Sequence, residues 1–315
     1  MNNMTGVILA AGKGTRIYPF SSNFPKPLLP ILNTPLIEYQ IDTLVNSGIN
    51  DIIIVIGHLG FEITKLVGDG SRYSARISYV DQRETLGIAH AVGKLEEFIS
   101  NPFILVLGDI YFLPNDLSPM VSVLAKEKAH AVLATKIEQD PESIRRNFSV
   151  ISKDETNIVT RVIEKPRYVV NNIKGCGIYL FDLPIFDAIR RTPRTAMRDE
   201  YEITDSIQIL IDDGYRVVHL PMIENDINLT YPKDIHATNM AELKRRGLDQ
   251  FVGNNVELPP GCIIENSVVG NNVRIEGEVR ISKCVIFSGS IVRSDVHLEN
   301  LVITPERILN ISDPI

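Results

Sequence analysis

The sequence predicts an α/β protein. It should have a mostly parallel sheet covered by helices on both faces, an antiparallel or mixed extension of that sheet, and a short parallel β-helix after it. Three patterns carry this. Up to Leu107, β-branched runs alternate with helical segments; from Ala131 to Phe181, strands follow one another without long helices; after residue 250 the chain falls into hexads.

The first strand is Thr5–Ala10, and Thr34–Ser47 follows as a helix with Leu36, Ile37, Ile41, Leu44 and Val45 on one face. Asp51–Ile56 is a β-branched strand closed by Gly57, Phe61–Val67 a helical turn, and Ile77–Val80 a strand. Leu86–Ile99 has helical spacing and Phe103–Leu107 reads as a buried strand. Helical segments between such strands indicate βαβ units with both sheet faces covered. The extension comprises Ala131–Lys136, Phe148–Ser152, Ile158–Glu164 and Gly177–Phe181, a place for a substrate pocket. Thr204–Asp213 is a helix capped by Thr204 or Asp205 and ended by Gly214; Pro232–Arg246 is another, stopped at Gly247. The hexads open at Ile263, Val269, Ile275, Ile281 and Phe287. A hexapeptide period marks a parallel β-helix, with the first residue of each hexad pointing into the prism. Residues 251–303 hold about nine hexads, or about three coils. The domains are therefore 1–245 and 251–303, and Ile308–Ile315 reads as a loosely held end.

Composition removes several function classes. The chain has 315 residues, and its 32 basic against 39 acidic side chains give a net charge of −7, which disfavours a nucleic-acid binder. No apolar run reaches the roughly 18 residues of a membrane span, and Met1–Ala10 does not resemble a secretory leader. Cys176, Cys262 and Cys284 are too scattered for a disulfide framework or a zinc knuckle, which suits a reducing cytoplasm.

The chemistry begins where the first strand empties into Leu9-Ala10-Ala11-Gly12-Lys13-Gly14-Thr15-Arg16, followed by Pro25-Lys26-Pro27. Small residues let backbone N–H groups approach an anion. Two familiar phosphate loops do not fit: no glycine stands five residues before Gly12, and Ile17 occupies the third glycine of G-x-G-x-x-G. What remains is a glycine loop with a forked cation, Arg16, and a point cation, Lys26, which suits a polyphosphate.

These residues resemble the G-x-G-T-R-x-x-P…P-K-P signature of the sugar-1-phosphate nucleotidylyltransferases, and further pieces follow in that family's order. Gln82 to Ala91 is similar to its base-binding segment, and Gly108-Asp109 to its metal-binding strand end. Glu164-Lys165-Pro166 resembles its sugar-phosphate motif, and Gly177 to Phe181 and Glu202 to Asp205 match its later motifs. The resemblance implies a Rossmann-like mixed-sheet nucleotidyltransferase domain with a C-terminal left-handed β-helix. It implies transfer of a nucleotidyl group from an NTP, UTP or dTTP by preference, to a sugar 1-phosphate, releasing pyrophosphate. In such a reaction the nucleophile is already an anion, and two unit charges 4 Å apart repel by about 4 kcal/mol at an effective dielectric near 20. Placed cations are therefore the main catalytic means.

By resemblance, Arg16, Lys26 and Lys165 are catalytic, and Leu9, Ala10, Ala11, Gly12, Gly14, Thr15, Gln82 and Gly87 bind the nucleotide. Ser149, Glu164, Lys165 and Gly175 would hold the sugar phosphate. Mg²⁺ would sit on Asp109 and a second ligand, Asn228 or alternatively Asp226. Two departures stand out: Ser149 replaces a glycine common in the family, and Asn228 falls where a carboxylate is usual. The β-helix would serve a homo-oligomer. A catalytically silent nucleotide-sugar-binding subunit of the same fold is the alternative function.

Overall fold

The computed structural model describes residues 4–12, 14, 17, 24–153, 156–196, 198–294 and 296–311. The chain divides into two compact units, Met1–Lys13 with Glu38–Asp226 and Gly14–Ile37 with Ile227–Ile315. Compactness thus cuts the chain near residue 226, whereas composition changes near residue 250.

The first unit is built on a nine-stranded mixed sheet. Its parallel part aligns Phe103–Leu107, Thr5–Leu9, Asp51–Ile56 and Arg76–Asp81 in that order. Asp51–Ile56 and Phe103–Leu107 are nearly continuous runs of aliphatic residues because both sheet faces are covered there, whereas the edge strand Arg76–Asp81 alternates with polar residues. The antiparallel part hangs on Ile173–Phe181, which pairs with Phe103–Leu107, Ala131–Ile137 and Phe148–Ser152. Val159–Glu164 adds antiparallel to Phe148–Ser152, so the expected mixed extension is present. The long strand changes register between Gly175 and Tyr179, and Gly177 at a φ of 69° supplies the left-handed residue of that irregularity.

Several local expectations need correction. Leu86–Ile99 is α-helical only over Ile88–Gly93, beyond which most of the bonds reach back three residues rather than four. The helix expected at Thr204–Asp213 spans Ile203–Asp212, and its cap residue is Glu202. Helices Ser118–Glu127, Pro141–Arg146 and Pro184–Arg191, absent from the sequence reading, are also present.

In the second unit, strands after residue 250 pair in three parallel ladders. One joins Gln250–Val252, Ser267–Val269, Val285–Ile286 and Leu301–Ile303; a second joins Ile263–Glu265, Arg280–Ser282 and Leu298–Glu299; a third joins Arg274–Glu276 and Ile291–Arg293. Partners are 17 residues apart, as at Asn255 and Asn272, not the 18 that three hexads would give. The enclosed apolar series runs Val269, Ile275, Ile281, Ile286, Val292, Leu298, Ile303, so one step in three is five residues long. The hexad register therefore fails at both ends of its run. Ile263 is 50% exposed, Ile264 packs inward in its place, and Ile286 takes the inner position expected of Phe287, which is buried elsewhere. Corners recur with the same period in left-handed backbone at Asn255, Asn272 and Gly289, and at Asn266, Lys283 and Asn300. The expected loose end is also wrong in part, since Ile308–Asn310 pairs antiparallel with Leu301–Ile303 and covers that ladder's edge; residues 312–315 lie outside the described residues.

Helix Pro232–Arg245 belongs to this second unit. It starts with a capping box in which Asp234 Oδ2 accepts from the Tyr231 N–H at 2.6 Å, and its His236 Nε2 lies 2.7 Å from the Lys283 carbonyl oxygen.

Candidate active site

The start of the glycine loop lies at the carboxyl ends of the parallel strands. Ala10 donates its N–H to the Val55 carbonyl at 2.8 Å, and the Leu9 carbonyl accepts from Gly108 at 2.9 Å. Both neighbouring strands are followed by a glycine for a steric reason. A Cβ on Gly57 would lie 2.9 Å from the Ala11 oxygen, and one on Gly108 would lie 2.4 Å from the Leu9 oxygen. Ala10 and Ala11 are buried, whereas Gly12 is exposed with open space around it. A phosphate-binding backbone needs that combination: a fixed root and an uncrowded tip. Thr15 and Arg16 lie outside the described residues.

Lys26 and Gly14 meet in the second unit. Gly14 has a φ of 63°, and a Cβ there would lie 2.9 Å from Lys26 Cγ, so the glycine makes room for the lysine stem. Lys26 is only 7% exposed and opens a short 3₁₀ turn, Lys26–Leu28. Its segment is pinned from helix Pro232–Arg245: Asn239 Oδ1 accepts from the Leu32 N–H at 2.9 Å, and Asn239 Nδ2 donates to the Pro30 carbonyl at 3.1 Å. This lysine is not a solvated loop cation.

The candidate base-binding residues are held by their neighbours. Gln82 is buried, its N–H donating to the Ile56 carbonyl and its Nε2 lying 3.4 Å from His90 Nδ1. Burial, and then Lys94, hold the His90 pKa below its usual value, so the ring is neutral at pH 7 and accepts from the amide. Gly87, at a φ of 106°, is pressed on the Tyr201 backbone, where a Cβ would lie 2.5 Å from the carbonyl oxygen.

The candidate sugar-phosphate residues gather on the antiparallel strands. Glu164 ends Val159–Glu164, and its Oε1 is 3.4 Å from Arg198 Nη1, while its Oε2 accepts from the Thr204 hydroxyl at 3.4 Å. Arg198 also donates to Glu202 at 2.9 Å. Burial first, and then the Glu202 charge, push the Glu164 pKa up to about 7 against the pull of Arg198. Lys165 is exposed, sits in left-handed backbone with a φ of 41°, and ties its N–H to the Asn147 carbonyl. A non-glycine residue there costs roughly 1–2 kcal/mol, a strain of the kind that accumulates at functional sites. Ser149 is fully buried and its hydroxyl donates to Asn171 Oδ1 at 2.9 Å, so the extra group is internally satisfied. Gly175 faces Phe148: a Cβ there would come within 1.9 Å of the ring. Arg198 was missed by the sequence reading because a lone arginine in an exposed-looking segment carries no pattern; its two carboxylate partners reveal it.

Asp109 stands beyond the Phe103–Leu107 strand, after Gly108, and is partly buried. The two alternatives for the second ligand have different surroundings. Asp226 Oδ1 is 2.7 Å from Lys174 Nζ, with side-chain exposures of 6% and 3%. Lys174 and Lys136 also approach Glu138 at 3.6 and 3.2 Å. Burial alone would raise the Glu138 carboxyl, but the Asp140 N–H and the two ammonium groups bring it down to about 2. Asn228 is exposed and its Oδ1 accepts only from the Thr230 hydroxyl at 3.1 Å among the described residues. No group of three or more His, Cys, Asp or Glu among the described residues could hold a metal ion. Asp109 offers carboxylate oxygens and Asn228 an amide carbonyl oxygen, each of them a donor type that hard cations take.

Residues 5–235 match the nucleotidyl transferase family. The chain belongs to that family. It is similar to the low-salt glycan biosynthesis nucleotidyltransferase Agl11 of Haloferax volcanii, 35% identical over 266 residues, which are 81% of this chain and 72% of that one. A glucose-1-phosphate thymidylyltransferase of Streptomyces griseus is 33% identical over 87% of this chain and 76% of its own. Among solved structures, a UDP-glucose pyrophosphorylase complexed with UDP-glucose superposes with a TM-score of 0.69, covering 78% of this chain and 100% of that one at 23% identity, which speaks to the fold. No described helix is long and apolar enough to cross a membrane.

Proposed function

We propose that the protein transfers a nucleotidyl group from UTP or dTTP to a sugar 1-phosphate, producing an NDP-sugar and pyrophosphate. The observation that carries this is the joint presence of a small-residue loop root at Leu9–Gly12, a buried lysine packed over Gly14, and a carboxylate, Asp109, at the end of a central strand.

The sugar-phosphate oxygen attacks the α-phosphorus of the NTP, and the bond to pyrophosphate breaks. Leu9 and Ala10 form the root of the triphosphate loop, Ala11, Gly12, Gly14 and Thr15 offer it backbone N–H groups, Arg16 holds its β- and γ-phosphates and Lys26 its α-phosphate. Gln82 reads the pyrimidine edge, and Gly87 lets the base lie against the backbone. Lys165 binds the incoming phosphate, Glu164 accepts from sugar hydroxyls, and the Ser149 and Gly175 backbones border the sugar. Arg198 stands beside Glu164 and adds a second cation on that side. Asp109 and Asn228 are the residues that would hold Mg²⁺, which would neutralise charge between the two phosphates. Asp226 is the weaker candidate because its carboxylate already serves Lys174.

The functional division proposed is a catalytic domain over 1–245 and a left-handed β-helix over 251–303. The 17-residue spacing of parallel partners and the recurring left-handed corners support the helical reading. The β-helix is assigned to homo-oligomer assembly, and the compartment to the cytoplasm.

The test is a pyrophosphate-release screen of full-length protein over NTPs and sugar 1-phosphates with Mg²⁺. UTP or dTTP should lead by a wide margin. A purine nucleotide leading would refute the base assignment, and no release with any pair would favour the silent regulatory subunit.

A further inference from the structure

We propose that Gln40 is a positioning residue for Asp109, an inference that rests on reading Asp109 as a metal ligand. Gln40 lies on helix Leu36–Asn46 and is 1% exposed. Its Nε2 donates to the Leu107 carbonyl at 2.9 Å and to the Ile110 carbonyl at 3.0 Å. Those two carbonyls bracket Gly108 and Asp109. Both partners are acceptors, so chemistry alone fixes the amide with its nitrogen toward the turn.

The same turn is held from the other side. Gly108 donates to Leu9, and its missing side chain lets the two backbones touch. The segment carrying Asp109 is thus tied to a sheet strand on one side and to a helix on the other. Two hydrogen bonds from one amide fix its plane, and with it the peptide groups at the two ends of the Gly108-Asp109-Ile110 segment. Magnesium tolerates little error, since it demands nearly ideal octahedral geometry.

Energetics favours this role over simple packing. Gln40 Oε1 is buried without a hydrogen-bond partner among the described residues. An unsatisfied buried acceptor costs about 1–3 kcal/mol. A side chain that bears this loss while donating twice to one turn is placed for the turn, and an apolar residue of similar volume would fill the space without the loss.

The experiment measures Mn²⁺ binding to the full-length protein by the loss of the free-ion EPR signal, alongside the Mg²⁺ concentration giving half-maximal pyrophosphate release. Four proteins are compared: unsubstituted, Asp109→Asn, Gln40→Met and Thr43→Val. Thr43 is the control, a buried residue on the same helix whose hydroxyl donates only to the Tyr39 carbonyl at 2.7 Å. Gln40→Met should raise the Mn²⁺ dissociation constant and the half-maximal Mg²⁺ concentration by about tenfold, the scale for outer partners of metal ligands. Thr43→Val should leave both within about twofold, as an independent site does. If Asp109→Asn leaves Mn²⁺ binding unchanged, the metal assignment itself is refuted. If Asp109→Asn weakens binding and Gln40→Met does not, the positioning role is overturned. Should Gln40→Met fail to fold, the unsubstituted protein still decides. The Gln40 side-chain amide should be strongly protected from hydrogen exchange by NMR, and exchange at the rate of a free amide would overturn the proposal.

Discussion

Replacing Glu164 by glutamine should change how stability depends on pH. The carboxyl has an ordinary pKa of 4.5, which burial and the Glu202 charge raise to about 7 in the folded chain. Between those values the folded state keeps a proton that the unfolded state has released. Stability is therefore highest below about pH 4.5 and is lost as pH rises toward 7. A span of about 2.5 pH units at 1.36 kcal/mol per unit gives a loss of about 3 kcal/mol. Glu164→Gln keeps the shape and an oxygen for Arg198 and Thr204 but has no proton to lose. The assay is urea unfolding at pH 4.5 and pH 8, followed by tyrosine fluorescence, since the chain has ten tyrosines and no tryptophan. The unsubstituted protein should lose about 3 kcal/mol more than the variant between those two pH values. Parallel pH profiles for the two proteins would refute the argument.

Lys26→Met keeps the stem packed over Gly14 but removes the charge, and kcat/KM for pyrophosphate release should fall by about two orders of magnitude; near-normal turnover would remove Lys26 from the phosphate site. Asp226→Ala leaves the Lys174 ammonium buried without its nearest partner, and denaturation should show a loss of about 3 kcal/mol. Asn228→Ala should instead abolish activity with little effect on unfolding, and Asn228→Asp should retain it; the reverse pattern at these two positions would exchange their roles. Gly175→Ala drives a methyl group into the Phe148 ring and should cost about 1–3 kcal/mol in thermal unfolding, and the substitution passing unnoticed would refute that contact.

The parallel strands were legible because burial on both faces demands unbroken aliphatic runs, and Asp51–Ile56 and Phe103–Leu107 fall where such runs predict. The helices at Ser118–Glu127 and Pro184–Arg191 were not legible. Ser118–Glu127 buries only Met120, so its apolar periodicity is weak. Pro184–Arg191 is amphipathic, with Ile185, Phe186 and Ala188 buried, but its eight residues fall short of the length that marks a helix in sequence. The terminal repeat was legible as a repeat but not in its length. Val-Gly-Asn-Asn-Val stands at 252–256 and again at 269–273, and this 17-residue echo was hidden beneath a nearly hexameric pattern. One short step per coil is enough to shift Ile263 outward and bring Ile286 inward.

The sequence by itself determined the family signature, the alternation that makes a mostly parallel sheet, and the residue types that a polyphosphate requires. These are local properties, written in spacing and side-chain chemistry within a few turns of chain. Only the tertiary structure decided which charges are committed elsewhere. Asp226 and Asn228 are two residues apart on one strand, yet the first is spent on Lys174, which lies 52 residues away in sequence, while the second is exposed. Arg198 acquires a role only because folding sets it between Glu164 and Glu202, and Gln40 only because its helix meets the turn at Asp109. Charge pairing and hydrogen bonding act through distances of a few ångströms in space, and separation along the chain does not encode them.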